Sequence, residues 1–333
     1  MLRRTLLAGL AISTALVAGA VRAQDGIDIV YIPKNTGNPY FDSLVAGFTD
    51  ACAELGCTFS QAAPATAEAT SQIPFVTAQI QRQVDVIAIS PNSPDALNQV
   101  LDRARERGIL VLAVNGDLVG NESHRDAAIL PVDFTVTGPG QVELLGSMIG
   151  YEGQIAILSA TTDAPDQNTW IAAMVDALAN DPKYANMELV TTVYGDDDPQ
   201  KSTTEAEALL QAYPDLRGII SPTTVGVAAA AQVIQSAGAA DRIALTGLGT
   251  PNQMRPFIKD GTVQAFQLWS PYNQGWLAAH LAVAARNGEL ELAPGTTFEV
   301  PNLGAVSIGE NNVINTQAEL TTFDASNIDD FDF

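Results

Sequence analysis

"VIAISP" at residues 86–91 and "GIISP" at residues 218–222 are one short pattern written twice. Each is an apolar run of strand length closed by Ser-Pro, and the copies stand about 132 residues apart. A second pair, "LVLAVN" at 110–115 and "IALTGL" at 243–248, repeats at about the same offset. The strands expected to open the two halves, 28–32 and 155–160, are about 127 residues apart. Continuous apolar strands separated by segments of helical period predict parallel sheets with helices on their faces. A repeat this long predicts two similar domains rather than a solenoid. The expected fold is therefore α/β: two similar lobes, each a parallel sheet flanked by helices, joined by a hinge.

In the first half the pattern predicts further strands at 58–61 and 128–131 and helices over 73–83 and 94–107, the latter ended by Gly108. In the second it predicts a strand over 187–194 and an aromatic-bearing helix in "DQNTWIAAMVDALAN", residues 166–180. A short strand at 263–268 then feeds an amphipathic helix over 274–287, and a last strand at 305–308 precedes an extended tail to Phe333. The chain thus crosses between lobes near Asp133, Trp269 and Ala305. The expected division is 25–132 plus 270–304 for the first lobe and 133–269 plus 305–333 for the second.

Residues 1–23 read as a secretory leader. Arg3 and Arg4 precede an apolar run from Leu6 to Ala20, and Val21-Arg22-Ala23 offers a small-x-small cleavage site. The apolar run is short for a membrane span of about 20 residues. The mature chain is expected to begin near Gln24 and to be periplasmic. The formal charge is −22, and loss of Arg3, Arg4 and Arg22 takes it to −25. Such acidity disfavours nucleic acid and anionic lipid as partners. Two histidines, His124 and His280, and two cysteines make a Cys/His zinc site improbable, and no metal is expected. Cys52 falls at the end of the helix expected after the first strand, Gly56 suits its left-handed terminus, and Cys57 opens the next strand. A small-loop disulfide and two buried thiols both fit this placement.

In parallel α/β sheets, ligands bind beyond the carboxyl ends of the strands. "YIPKNTGNPYF" at 31–41 puts Lys34 and the Tyr40–Phe41 pair on such a turn. The other strand ends bring Asn92, Asn115 and Asp117 in the first half. The second half brings Asp163 to Trp170, Pro222 to Thr224, Gly249 to Asn252, and Trp269 at the return crossing. Cation, carboxylates, amides, hydroxyls and rings together suit a polyol, whose hydroxyls take paired hydrogen bonds while rings cover its C–H face. Each residue also has a plainer reading: Asp166 as a helix cap, Asp117 as a turn former, Lys34 as a solvated lysine, and Phe41, Trp170 and Trp269 as packing anchors. Enzyme signatures are missing. No G-x-G-x-x-G follows the first strand, no Walker lysine or G-x-S-x-G elbow occurs, and neither histidine is placed as a base. The expectation is a binding protein without a cofactor, not an enzyme.

The stretches "IPK" at 32–34, "SPNSPDAL" at 90–97, "DQNTW" at 166–170, "SPTTVGVAAAA" at 221–231, "TGLGTPNQMRPFIKDGTV" at 246–263, "FQLW" at 266–269 and "NIDDFDF" at 327–333 carry a resemblance that spans nearly all of the mature length. The chain resembles the type I periplasmic solute-binding proteins of ABC importers, in the branch of the rhamnose-binding proteins and autoinducer-2 receptors. It implies that Lys34, Asp117, Asp166, Gln167 and Pro222 hold the ligand. Thr224 stands where the autoinducer receptors have alanine, and Asn115 replaces an acid common two residues before Asp117. The implied ligand is a small neutral polyol, first a 6-deoxyhexose such as rhamnose and second autoinducer-2. Phe41, Trp170 and Trp269 wall the pocket in this reading. The implied partner is an ABC permease at the membrane, approached by a monomer.

Overall fold

The structure, a computed structural model, describes residues 26–333; the expected leader lies outside them. In chain order the elements are β1 (Asp28–Ile32), α1 (Pro39–Leu55), β2 (Thr58–Gln61), α2 (Ile73–Arg82), β3 (Val86–Ile89), α3 (Asn98–Glu106), β4 (Leu110–Val114) and β5 (Ala127–Leu130). Then come α4 (Phe134–Ile149), β6 (Glu152–Ser159), α5 (Pro165–Asn180), β7 (Asn186–Tyr194), α6 (Pro199–Ala212), β8 (Leu216–Ser221), α7 (Thr224–Ser236), β9 (Ala244–Gly247), α8 (Pro251–Lys259) and β10 (Ala265–Leu268). The chain ends with α9 (Pro271–Arg286), β11 (Thr297–Val300), β12 (Gly304–Ser307), β13 (Val313–Asn315) and β14 (Thr321–Asp324).

The internal repeat is topological. One sheet runs β13-β5-β4-β3-β1-β2, with its pairs parallel. The other runs β7-β6-β8-β9, also parallel, and a bridge from Leu248 to Gln267 adds β10 beside β9. β14 pairs antiparallel with β10. β3 corresponds to β8 and β4 to β9, the two pairs that the repeated sequence predicts. Even the terminal serines act alike: Ser90 Oγ donates to the Val114 carbonyl and Ser221 Oγ to that of Leu158, each on a neighbouring strand.

Strand alternation sorts the first core. Ile29 and Tyr31 of β1 pack with α1 and α9 residues, while Val30 and Ile32 pack on the opposite face against α2 and α3. α9 reaches this lobe from the second crossing and lies very close to α1. A Cβ added at Gly275 would sit 2.0 Å from the Leu44 carbonyl oxygen, and one at Gly47 2.0 Å from that of Tyr272. Glycine at both points lets the two backbones approach, and this fixes the returning segment to the first lobe.

The tail departs from its expected course. The strand expected last at 305–308 is β12, which forms a hairpin with β11. β13 follows and pairs with β5 (Val313↔Ala128), and only β14 lies with the second sheet. Residues 305–315 therefore do not belong with the second lobe, and the third crossing falls between Asn315 and Thr321. The physical reason is edge satisfaction: without β13, the outer backbone groups of β5 would be unpaired. β13 and β14 are short and partly polar, so no periodicity marks them. Cys52 and Cys57 are joined as a disulfide, with Cα atoms 4.6 Å apart, after Gly56 ends α1 in the left-handed region at φ 73°.

Candidate functional site

The carboxyl ends of the two sheets face each other, and buried polar side chains bridge the gap. Lys34, in the turn after β1, is held by its backbone: Asn92 Nδ2 donates to its carbonyl at 2.9 Å, and Gln72 Nε2 donates to the carbonyls of Pro33 (2.9 Å) and Ser90 (2.7 Å). Its ammonium donates across the cleft to Asp166 Oδ1 at 2.6 Å and Gln167 Oε1 at 2.9 Å. Both acceptors lie in the first turn of α5, where the helix dipole favours a carboxylate. Lys34 is 3% exposed and Asp166 fully buried. The N-cap of α5 is Ala164, so Asp166 is not its cap. Further bonds cross the cleft, among them those from Thr224 Oγ1 to Asn38 Oδ1 at 2.9 Å and from Asn35 Nδ2 to the Asp197 carbonyl at 3.4 Å.

An aromatic group closes the hinge side. Trp269 Nε1 donates to the Tyr40 hydroxyl at 2.8 Å, which sits 2.5 Å from Asn115 Oδ1 and 2.6 Å from Gln274 Oε1, one proton serving both. Burial lifts the Tyr40 hydroxyl well above its ordinary pKa, so it stays protonated and able to donate. Trp170 and Trp269 lie with ring centres 5.7 Å apart, and Tyr40 and Phe41 meet edge to face at 5.2 Å. Trp170 Nε1 is buried without a protein partner. Its own backing is Phe134, 5.2 Å away.

Among these groups lies a cavity of about 30 Å³, lined by Lys34, Phe41, Gln167, Trp170, Pro222, Thr224 and Trp269 among others. That volume is about one water's share of liquid, so the lobes are closed to near contact. Beyond Asp197 the cleft widens into a groove of about 560 Å³ open to solvent, bounded by residues of both lobes such as Thr36, Thr66, Thr162 and Asp163.

The structure thus brings together eight of the nine residues singled out from sequence, with Asp166 just behind the cavity wall on Lys34. Asp117 is the exception. Arg125 grips its carboxylate through Nε and an Nη nitrogen, each at 2.6 Å, and reaches on to the Asn311 carbonyl at 2.6 Å. Asp117 does not line the cavity; it is a strut between the loop after β4 and the segment before β13. Asn115, two residues earlier and left-handed at φ 71°, is the member of "NGD" that faces the cleft, with Nδ2 3.5 Å from Asp166 Oδ2. Sequence reasoning gave no role to Asn38, Gln274 or Asp197, and it read Tyr40 only as part of an aromatic turn. For Asp197 the signal was available: "YGDDD" follows a strand as directly as the stretches that were considered.

A family model described as a periplasmic binding protein domain matches residues 29–290. Among solved structures the chain is similar to a sugar ABC transporter protein from Actinomyces odontolyticus, at 39% identity and a TM-score of 0.73, covering 92% of this chain and 97% of that one. It is also similar to an ABC transporter solute binding protein from Clostridium phytofermentas with bound L-rhamnose, at 31% identity and a TM-score of 0.87, covering 92% and 98%. A D-ribose/D-allose-binding protein of Pseudomonas aeruginosa is 28% identical over 265 residues, 77% of this chain and 75% of that protein. These relatives are binding and transport proteins, not enzymes.

Proposed function

The chain belongs to the periplasmic binding protein family, and we propose that it captures a small neutral sugar, first a 6-deoxyhexose such as L-rhamnose, between its lobes and delivers it to an ABC permease. One observation carries this reading. Lys34 of one lobe is buried against Asp166 and Gln167 of the other, in a cavity walled by Phe41, Trp170 and Trp269. A cation with paired acceptors beside rings suits hydroxyls on one edge of a sugar and its C–H face on the other. The relative with bound L-rhamnose adds support for the choice of sugar. Export through residues 1–23, cleavage near Gln24 and action as a monomer complete the reading.

Ligand entry parts the lobes, because one water's room does not hold a sugar ring. A sugar that touches both lobes then shifts the equilibrium back to a closed form. The test is a thermal-shift and calorimetric panel of L-rhamnose, D-ribose, D-arabinose and autoinducer-2. A ligand that binds only the folded state raises the unfolding midpoint. L-rhamnose should give the largest rise, and small-angle scattering should show compaction with it. Tight autoinducer-2 binding with no response to L-rhamnose would overturn the ligand choice.

A further inference from the structure

The side chain of Asp197 has no role in the site so far described, where only its carbonyl takes part; the residue is 5% exposed and borders both the inner cavity and the outer groove. It lies where the inner cavity meets the outer groove, the mouth of the cleft. Thr223 Oγ1 donates to its Oδ1, and Asn35 of the facing lobe donates to its carbonyl. Its other carboxylate oxygen has no protein donor among the described residues, and it is in no salt bridge. Burial pushes its carboxyl pKa up, with Lys34 and Thr223 opposing. The loop holds Asp196 and Asp197 in the left-handed region, at φ 55° and 52°, which fixes the side chain at a conformational cost.

A second observation comes from across the cleft. Asn35 is 7% exposed, borders the outer groove, and its Oδ1 has no partner. The acceptors that lack a protein donor here lie one on each lobe: Asn35 Oδ1, buried and unpaired, and the second Asp197 oxygen, which keeps contact with solvent; Lys34 lies further in. A buried acceptor left unpaired is costly, and what satisfies it must bring hydrogen.

We propose that Asp197 and Asn35 form the mouth-side end of the ligand site, accepting hydrogen bonds from ligand hydroxyls, with Asp197 as a specificity-determining residue that turns away anionic sugars. This rests on the sugar-binding reading above and deepens it. A carboxylate- or phosphate-bearing ligand would set its charge against Asp197 and the neighbouring Asp163 and Glu68. A neutral polyol supplies the missing donors.

The experiment compares the purified wild type with Asp197→Asn by calorimetry against L-rhamnose and D-ribose, and by thermal unfolding without ligand. Loss of a charge-assisted hydrogen bond should weaken the sugar that the wild type holds by roughly tenfold. The ligand-free midpoint should stay equal to or rise above that of wild type, because the amide keeps an acceptor for Thr223 and removes a buried charge. Affinity within about twofold of wild type overturns the proposal, since such a change is far below one charged hydrogen bond. If neither sugar binds the wild type, the sugar assignment fails, and the ligand-free arm judges Asp197 by itself. A lowered midpoint then means a structural carboxylate and overturns the proposal; an equal or raised one supports a carboxylate kept for a ligand.

Discussion

Replacing Asp166 by alanine separates a binding role from a structural one. The carboxylate takes the Lys34 ammonium at 2.6 Å, and its loss leaves that buried cation one acceptor, Gln167 Oε1 at 2.9 Å. Breaking a buried ion pair from one side costs about 3–5 kcal/mol when the remaining charge stays buried. Here the partners lie on different lobes, so the protein has a cheaper course: the cleft opens and Lys34 is hydrated. The penalty then falls on closure and not on unfolding. Unfolding of the ligand-free variant should change by about 1 kcal/mol or less, because the opened cleft leaves no unpaired charge buried. L-rhamnose should lose a charged hydrogen bond worth about 1.5–3 kcal/mol, which weakens binding by about one to two decades. Urea unfolding and titration calorimetry on the same preparation read both quantities. A loss of about 3 kcal/mol or more in unfolding, with affinity unchanged, would refute the reasoning and make the pair a structural rivet.

Thr224→Ala removes the hydroxyl that reaches Asn38 across the cleft and makes room beside Pro222; L-rhamnose should weaken by about 1 kcal/mol or less, and its advantage over autoinducer-2 should narrow in competition calorimetry. Asp117→Asn leaves the Arg125 guanidinium, whose side chain is 1% exposed, against a neutral amide; urea unfolding should show a loss of about 3 kcal/mol, while calorimetry shows far less change in affinity than for Asp166→Ala. The Cys52–Cys57 bridge closes a very short loop, so reduction should lower unfolding free energy by about 2 kcal/mol, and the unreduced, denatured protein should show no thiol to an alkylating reagent.

The layered fold was legible because its signals are local and repeated. Buried parallel strands such as "VIAI" and "LVLAV" are continuous apolar runs, and the same order of strands occurs twice. The tail was not legible for the opposite reason. "VIN" and "TTFD" are strands only because β5 and β10 offer edges to them. Their pairing partners lie far away in sequence, and nothing within three or four residues announces them.

The site divides along the same line. The rule that ligands gather at strand ends picks out loops that the fold does bring together, those of Lys34, Asn115, Asp166, Pro222 and Trp269. Within a loop it does not say which carboxylate faces the cleft. Asp117 and Asp166 look alike as sequence: each is an acid a few residues past a buried strand. What separates them is the cation that the fold sets beside each. Asp117 meets Arg125, eight residues on in the same lobe, and the pair stays shut whether or not the cleft opens. Asp166 meets Lys34, 132 residues earlier in the other lobe, so its partnership exists only when the lobes close. A carboxylate whose counter-charge leaves on opening is left for solvent or a ligand hydroxyl to satisfy, and that is the physical difference between a strut and a candidate binding group. It is a property of pairing across the hinge, which a single strand-end motif does not encode.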